Sequence, residues 1–141
     1  MALKEAAIYL QSAEDQLNEA SLALEHGRNA LSVFLSAMSG ENATSALILA
    51  LGHKPSKKHR NSIVLYKLAQ TSPKLKPRLI ELVDFMKKLE PHITKARYPI
   101  RKGPELLPPS KYYDQRIAQE IFQFARKGVT AVKEVLSTVK P

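Results

Sequence analysis

The sequence predicts an all-α fold, an up-and-down bundle of about five helices around a four-helix core. Apolar side chains recur at helical spacing in five segments, and Gly- or Pro-containing stretches lie between most of them. No stretch alternates apolar and polar residues with a period of two, so no β-sheet is expected. At 141 residues the chain has the length of one domain, which we assign to the whole of 1–141.

The first helix is predicted from about Ala2 to Glu25 by a heptad pattern. Leu recurs every seven residues from Leu3 to Leu24, and Ala stands three positions after the first three of these Leu residues. This is the a/d pattern of a helix that packs along a seam. Because small Ala side chains occupy half of the seam, packing within one bundle is favoured over a coiled coil. Gly27 is expected to end the helix.

A second long helix is predicted from about Asn29 to Leu51. Its middle contains Ser39 and Gly40, which lower helix propensity, so either the helix breaks there or another helix crosses closely; we favour the crossing. Glu41 follows on the projected apolar stripe, where a carboxylate requires a cation or a hydrogen bond. A structural carboxylate that is satisfied in this way is favoured over a catalytic base.

The second half of the chain predicts three further helices. A short helix covers about Ile63 to Ala69, and a fourth carries apolar residues at helical spacing from Leu79 to Leu89. Pro91 is expected to kink this helix, because proline cannot donate a hydrogen bond to the preceding turn. Residues 100–109 are predicted to form an irregular loop.

The last helix is predicted to follow Ser110, whose hydroxyl can cap it, and to extend almost to the C-terminus. Gly128 lies on its apolar stripe and is interpreted as a position where a second helix approaches closely. The three long helices are each roughly 30–40 Å in length at about 1.5 Å per residue, so they can pack side by side.

The formal net charge of +9 is concentrated after the second helix, where residues 52–80 contain eight Lys or Arg and no acid. Such a basic patch favours a polyanionic partner, either nucleic acid, a nucleotide or an acidic protein. A solvated surface whose charge only maintains solubility is an equally good interpretation of a Lys-rich turn taken alone.

The composition disfavours several classes of protein. The chain contains no Cys, which excludes a disulfide framework, a thiolate nucleophile and a Cys-containing zinc site. The four His residues are scattered without metal-ligand spacing, and no Gly-rich phosphate loop is present, so neither a metal nor a cofactor is assigned. The N-terminal sequence lacks a signal-peptide pattern and no apolar run is as long as a membrane span, so we expect a cytoplasmic protein.

Several short motifs, in their order and spacing, resemble the HEPN family of prokaryotic helical domains. They are GENATSALILALGHKPSKKH, then KARYPI about forty residues later, a Pro-rich loop, PPSKYYD and a long final helix. The resemblance covers most of the chain, from the first helix to Leu136. The matching positions are Glu41, Ala43, Gly52, Pro55 and His59 in and after the central helix, Arg97, Tyr98 and Pro99 in the RYP element, and Tyr112 or Tyr113 before the last helix.

This resemblance implies a helical bundle, often homodimeric, of the kind found beside minimal nucleotidyltransferases, in toxin–antitoxin pairs and in RNA-cutting enzymes. The ribonuclease members carry an Arg followed by a His after four to six intervening residues. No His of this chain stands at that distance after any Arg, and Lys102 occupies the fifth position after Arg97. A Lys cannot shuttle protons near neutral pH without a large pKa shift, so no catalytic residue is assigned.

Two groups of residues are predicted to contact nucleotide or RNA. One, the RYP cluster, consists of Arg97, Tyr98, Arg101 and Lys102, in which Arg can pair with phosphate and Tyr can stack on a base. The other, the loop cluster, consists of Lys57, Lys58, His59 and Arg60, which can add phosphate contacts. The alternatives are structural: Tyr98 could pack into the bundle, Arg97 could pair with an acid such as Glu41, and His59 could cap or bond the turn.

Three hypotheses about function follow. The first, which we favour, is a noncatalytic HEPN-like module that binds nucleotide or RNA and acts with a partner such as a minimal nucleotidyltransferase, in a toxin–antitoxin or defence-type system. We expect such a module to form a homodimer. The second hypothesis is a ribonuclease with a remodelled site that uses His59 or His92. The third is a purely structural dimerisation bundle.

Overall fold

The computed structural model describes residues 2–139, and most of them are helical. In chain order the elements are α1 (Ala2–Glu25), α2 (Asn29–Ala50), α3 (Asn61–Thr71), α4 (Lys76–Leu89), α5 (Pro91–Lys95), β1 (Ile100–Lys102), β2 (Glu105–Leu107), α6 (Pro109–Tyr112) and α7 (Gln115–Thr138). The predicted all-α bundle is confirmed, and Pro91, where a kink was predicted, is the first residue of the separate short helix α5. None of the described helices has the length and apolar character needed to cross a membrane.

Helices α1, α2, α4 and α7 enclose the core, and α2 packs against the other three. Helix α1 presents its small residues to the bundle: Ala13 and Ala20 are fully buried, whereas Leu3 is 50% exposed. The two long helices lie close enough for side chains of α2 to bond to the backbone of α1. Ser32 Oγ donates to the carbonyl of Ala20 at 2.9 Å, and Ser39 Oγ donates to that of Ala13 at 2.7 Å.

The middle of α2 is unbroken, and the predicted helix crossing at Gly40 is confirmed. A Cβ atom at Gly40 would lie 2.6 Å from Leu89 Cδ1 and 3.4 Å from Met86 Sδ, both on α4. Helix α4 also approaches Gly128, but less closely than α4 approaches Gly40. A Cβ atom there would meet Phe85 only at 3.8 Å, which is an ordinary van der Waals distance.

Residues 100–109 do not form the predicted irregular loop. They contain an antiparallel hairpin in which Ile100 is paired with Leu107, and Gly103 in its two-residue turn has a φ of +60°. The prediction failed because each strand has only three residues, too few to show an alternating pattern. The sequence does contain a turn signal, because Gly103 is followed by Pro104 between the two short strands.

The predicted cap of the last helix at Ser110 is also wrong. Ser110 belongs to the single turn α6, which ends before Tyr113. The cap of α7 is Asp114, whose side chain accepts a hydrogen bond of 2.8 Å from the backbone N–H of Ile117. Asp is among the best N-cap residues, and it stands directly before the helical run.

Candidate functional site

The loop between α2 and α3 is attached to the middle of α2 by one buried amide. Asn61, only 1% exposed, has its side-chain nitrogen within 3.1 Å of the carbonyl of Glu41 and the hydroxyls of Thr44 and Ser45. Its side-chain oxygen accepts from the backbone N–H of Ser56 at 2.9 Å. The basic loop therefore has a fixed position over α2. Asn61 was not predicted from the sequence.

Replacing Asn61 by Ala is expected to destabilise the fold by about 2–3 kcal/mol, because several buried polar groups would lose their partner. The measurement is the free energy of unfolding from urea denaturation. Asn18→Ala, at an exposed position of α1, is the matched control and should stay within about 0.5 kcal/mol of the wild type. Equal effects of the two substitutions would contradict the anchoring role.

Glu41 and His59 form a hydrogen-bonded pair. The Nδ1 atom of His59 lies 2.6 Å from Glu41 Oε1, and the carboxyl side chain is only 14% exposed. His59 has a φ of +58°, uncommon for a residue other than Gly, at the position that brings its ring back to α2. The expectation that Glu41 requires a partner is confirmed, but the partner is His59 and the suggested pairing with Arg97 is wrong.

A second carboxylate lies near this pair. Glu90 accepts two hydrogen bonds from Ser62, one from its backbone N–H at 2.8 Å and one from its hydroxyl at 2.6 Å. Burial raises the pKa of Glu90 above its ordinary value, the hydrogen bonds from Ser62 act against this, and the charge of Glu41 raises the pKa further. The carboxyl group holds the first turn of α3, where the helix dipole favours negative charge.

A cleft of about 580 Å³ lies between the loop and the α4–α5 junction. Lys58, His59 and Arg60 line it from the loop, and Lys87 and Glu90 line it from α4 and its end. The cleft contains three cations, Lys58, Arg60 and Lys87, and one carboxyl group, Glu90, whose pKa is raised by burial. The cleft is therefore positively charged. A phosphate group is a ligand that fits this charge. Lys57 is exposed on the same loop but does not line the cleft.

The RYP cluster lies after α5 and is exposed. Arg97 donates from Nε to the carbonyl of Ile93 at 2.8 Å, and its guanidinium carbon lies 5.6 Å from the ring centroids of both Phe34 and Tyr98. Tyr98 is 56% exposed, so the alternative in which it packs into the bundle is wrong. Arg101 and Lys102 follow on β1, and both are exposed.

Each cluster contacts the same face of α2 through one residue. Arg97 lies beside Phe34, and His59 bonds to Glu41, seven residues further along the same helix. Residues seven apart share a helix face and are separated by about two turns, or roughly 10 Å along the axis. Two basic groups that are distant in the sequence therefore each have one residue on the same side of α2.

His92, at the start of α5, forms a hydrogen bond that the sequence did not reveal. Its Nδ1 atom lies 2.7 Å from the hydroxyl of Tyr113, and the two rings meet edge to face with centroids 5.5 Å apart. Burial raises the pKa of Tyr113 well above its ordinary value, so the phenol stays protonated. Burial lowers the pKa of His92, and the charge of Lys95 lowers it further.

Replacing His92 by Gln is expected to reduce the loss of stability in mild acid. Because the pKa of His92 in the folded state lies below its ordinary value of about 6.5, the stability due to the neutral ring is fully present above that pH. It is lost as the pH falls through the folded-state pKa. Gln can still accept a hydrogen bond from Tyr113 but does not titrate. The measurement is the free energy of unfolding at several pH values between about 5 and 7.5.

His53→Gln in the exposed α2–α3 loop is the matched control for this prediction and should retain the pH dependence of the wild type. If the free energy of unfolding falls with pH equally in the wild type and the His92 variant, His92 does not cause the loss of stability.

Within residues 2–139 no three His, Asp or Glu side chains lie close enough together to hold a metal ion.

Comparisons with known proteins agree with this fold. A model of the HEPN domain matches residues 6–135, and no curated protein sequence shows a significant match. The crystal structure of TT1696 from Thermus thermophilus has a TM-score of 0.72 and 26% sequence identity, covering 92% of this chain and 97% of that chain. The structure of ST0689, an archaeal HEPN homologue, has a TM-score of 0.68 and 23% identity, covering 94% of this chain and 98% of that chain, and its likeness concerns the fold.

Proposed function

The chain belongs to the HEPN family, and from this premise we propose that it is a noncatalytic HEPN module that binds RNA or a nucleotide. Proteins of this family are generally associated with nucleotides and RNA. The observation that carries the proposal is that Arg97 of the RYP cluster and His59 of the loop cluster contact residues of α2 seven positions, or about two helical turns, apart. The surface that the two clusters form beside α2 is called the basic face of α2.

Each cluster supplies groups that suit a single-stranded nucleic acid. Arg97 and Arg101 can pair with phosphates through two parallel hydrogen bonds, and the exposed ring of Tyr98 can stack on a base. Lys58 and Arg60 can add phosphate contacts from the cleft. The test is binding of purified protein to labelled single-stranded RNA and to ATP across a salt series. Binding to neither ligand would contradict the proposal.

A noncatalytic role is favoured by the missing Arg-to-His motif of the ribonuclease members. A module without its own activity would act with a protein partner, and a minimal nucleotidyltransferase in a toxin–antitoxin or defence-type system is the partner we propose, together with a homodimeric state. Co-expression with such a nucleotidyltransferase, followed by purification of a complex of defined stoichiometry, is the measurement that checks this part of the proposal.

A remodelled ribonuclease is the second candidate, and the Glu41–His59 pair is the observation that favours it. A carboxylate that accepts from Nδ1 leaves Nε2 of the same ring as a base, the arrangement used in general base catalysis. Arg60 lies in the same cleft and can neutralise a phosphate.

Labelled RNA incubated with the wild type in EDTA is expected to remain intact. Cleavage that disappears in His59→Ala or His92→Ala, with each variant shown to be folded, would replace our proposal by the ribonuclease.

A further inference from the structure

A second cavity, of about 430 Å³, is lined by residues of α4, α5, α6 and α7. Consecutive residues line the two sites: Lys87 faces the cleft and Lys88 the second cavity. The second cavity, called the aromatic cavity here, has the rings of His92, Tyr112 and Phe124 in its walls. It belongs to neither cluster predicted from the sequence.

Lysine side chains cover two of the aromatic rings. The ammonium group of Lys88 lies 4.3 Å from the ring centroid of Phe124, and that of Lys95 lies 5.3 Å from the ring centroid of Tyr112. Both lysines are exposed, so these cation–π contacts are weak and the side chains can leave the rings. A nucleobase of any kind stacks on an aromatic face more strongly than an exposed cation binds to that face.

The polar groups of the aromatic cavity complement a base edge. Tyr113 is buried and protonated; when its hydroxyl donates to Nδ1 of His92, the Nε2 atom of His92 carries a proton and is a donor. Glu120, which also lines the cavity, supplies carboxylate acceptors for the amino group of a base. A donor and an acceptor therefore lie beside two aromatic rings.

We propose, resting on the nucleic-acid-binding function above, that the aromatic cavity is a nucleobase subsite that receives one unstacked base of a bound single strand. The base takes the place of the ammonium groups over Tyr112 and Phe124, and Lys88 and Lys95 turn to the phosphates on either side of it. Because consecutive residues of α4, Lys87 and Lys88, line the cleft and the cavity, a strand bound on the basic face of α2 can continue past α4 into the cavity.

The test uses substitutions that keep apolar volume but remove the aromatic faces. Tyr112→Leu and Phe124→Leu are combined in one variant, and Phe122→Leu, on the same helix but outside the lining of the cavity, is the matched control. The ligands are a short single-stranded RNA, the same RNA with abasic riboses, and AMP. Affinity is measured by fluorescence anisotropy across a salt series, with AMP as a competitor.

The double variant is expected to bind the RNA about 5- to 150-fold more weakly, the range for one lost stacked base. The wild type should lose a similar factor with the abasic RNA, and the control should bind normally. Loss of AMP binding in the double variant would also support the subsite, with a free nucleotide as the source of the base.

Unchanged RNA affinity in the double variant, with a wild type that binds, would overturn the subsite and leave the proposed function standing. A wild type that binds neither RNA nor AMP would overturn both.

Discussion

Neutralising the RYP cluster in the variant Arg97→Gln, Arg101→Ala, Lys102→Ala is expected to weaken RNA binding by about 100-fold near 0.1 M salt. Each phosphate contact to a single strand contributes about 0.7 to the slope of log affinity against log salt, so three lost contacts lower that slope by about 2. Gln at position 97 keeps a polar side chain against Phe34. The measurement is anisotropy of labelled RNA, with circular dichroism to show that the variant is folded.

The matched control removes three cations elsewhere: Lys4→Ala, Arg126→Ala and Lys127→Ala, on α1 and α7, which are exposed and outside both clusters. It should lower RNA affinity far less. If the two triple variants lose RNA affinity equally, binding depends only on the total positive charge of the protein and not on the position of the RYP cluster. This result would support the hypothesis of a structural bundle whose charge maintains solubility.

The largest stability effect is expected at the crossing of α2 and α4. Gly40→Val should destabilise the fold by about 3 kcal/mol, because an added side chain overpacks a site that has no space for it. The Cβ atom alone would lie 2.6 Å from Leu89, which is fully buried and cannot move into solvent. Gly40→Ala should destabilise the fold less, since the better helix propensity of Ala offsets the loss of stability by up to about 1 kcal/mol.

Gly128→Ala is the control for this prediction, because it adds a methyl group to a buried helical Gly that has ordinary contact distances. It should leave stability unchanged or raise it by up to about 1 kcal/mol through helix propensity. The free energy of unfolding in urea measures all three variants. A Gly40→Val protein as stable as the wild type would show that α2 and α4 do not cross as closely as described.

Most of the fold could be predicted, because the spacing of apolar residues along a helix shows which side of the helix is buried. The bounds of α1 agree with the predicted Ala2 to Glu25, and the interpretation of Gly40 as a crossing point was correct. Local signals were less reliable. Ser110 and Asp114 are both good capping residues four positions apart, and it is Asp114, directly before the helical run, that caps α7.

The arrangement of the candidate site could be predicted only in part. The position of Glu41 on an apolar stripe showed that its carboxylate requires a partner, but identifying His59 requires the path of the α2–α3 loop. Asn61 resembled an ordinary polar residue at the start of a helix, and its buried contacts depend on three-dimensional packing. The aromatic cavity combines residues from α4 to α7 and has no local motif.

The most direct test of the basic face of α2 is the salt dependence of binding to labelled single-stranded RNA, between about 50 and 200 mM salt. The wild type is compared with the RYP variant and with the loop variant Lys57→Ala, Lys58→Ala, Arg60→Ala, and a gel records whether the RNA stays intact. We predict intact RNA, wild-type affinity that falls with salt, and a smaller slope in each variant. No binding, or slopes unchanged in both variants, would contradict the binding face, and specific cleavage would contradict the noncatalytic role.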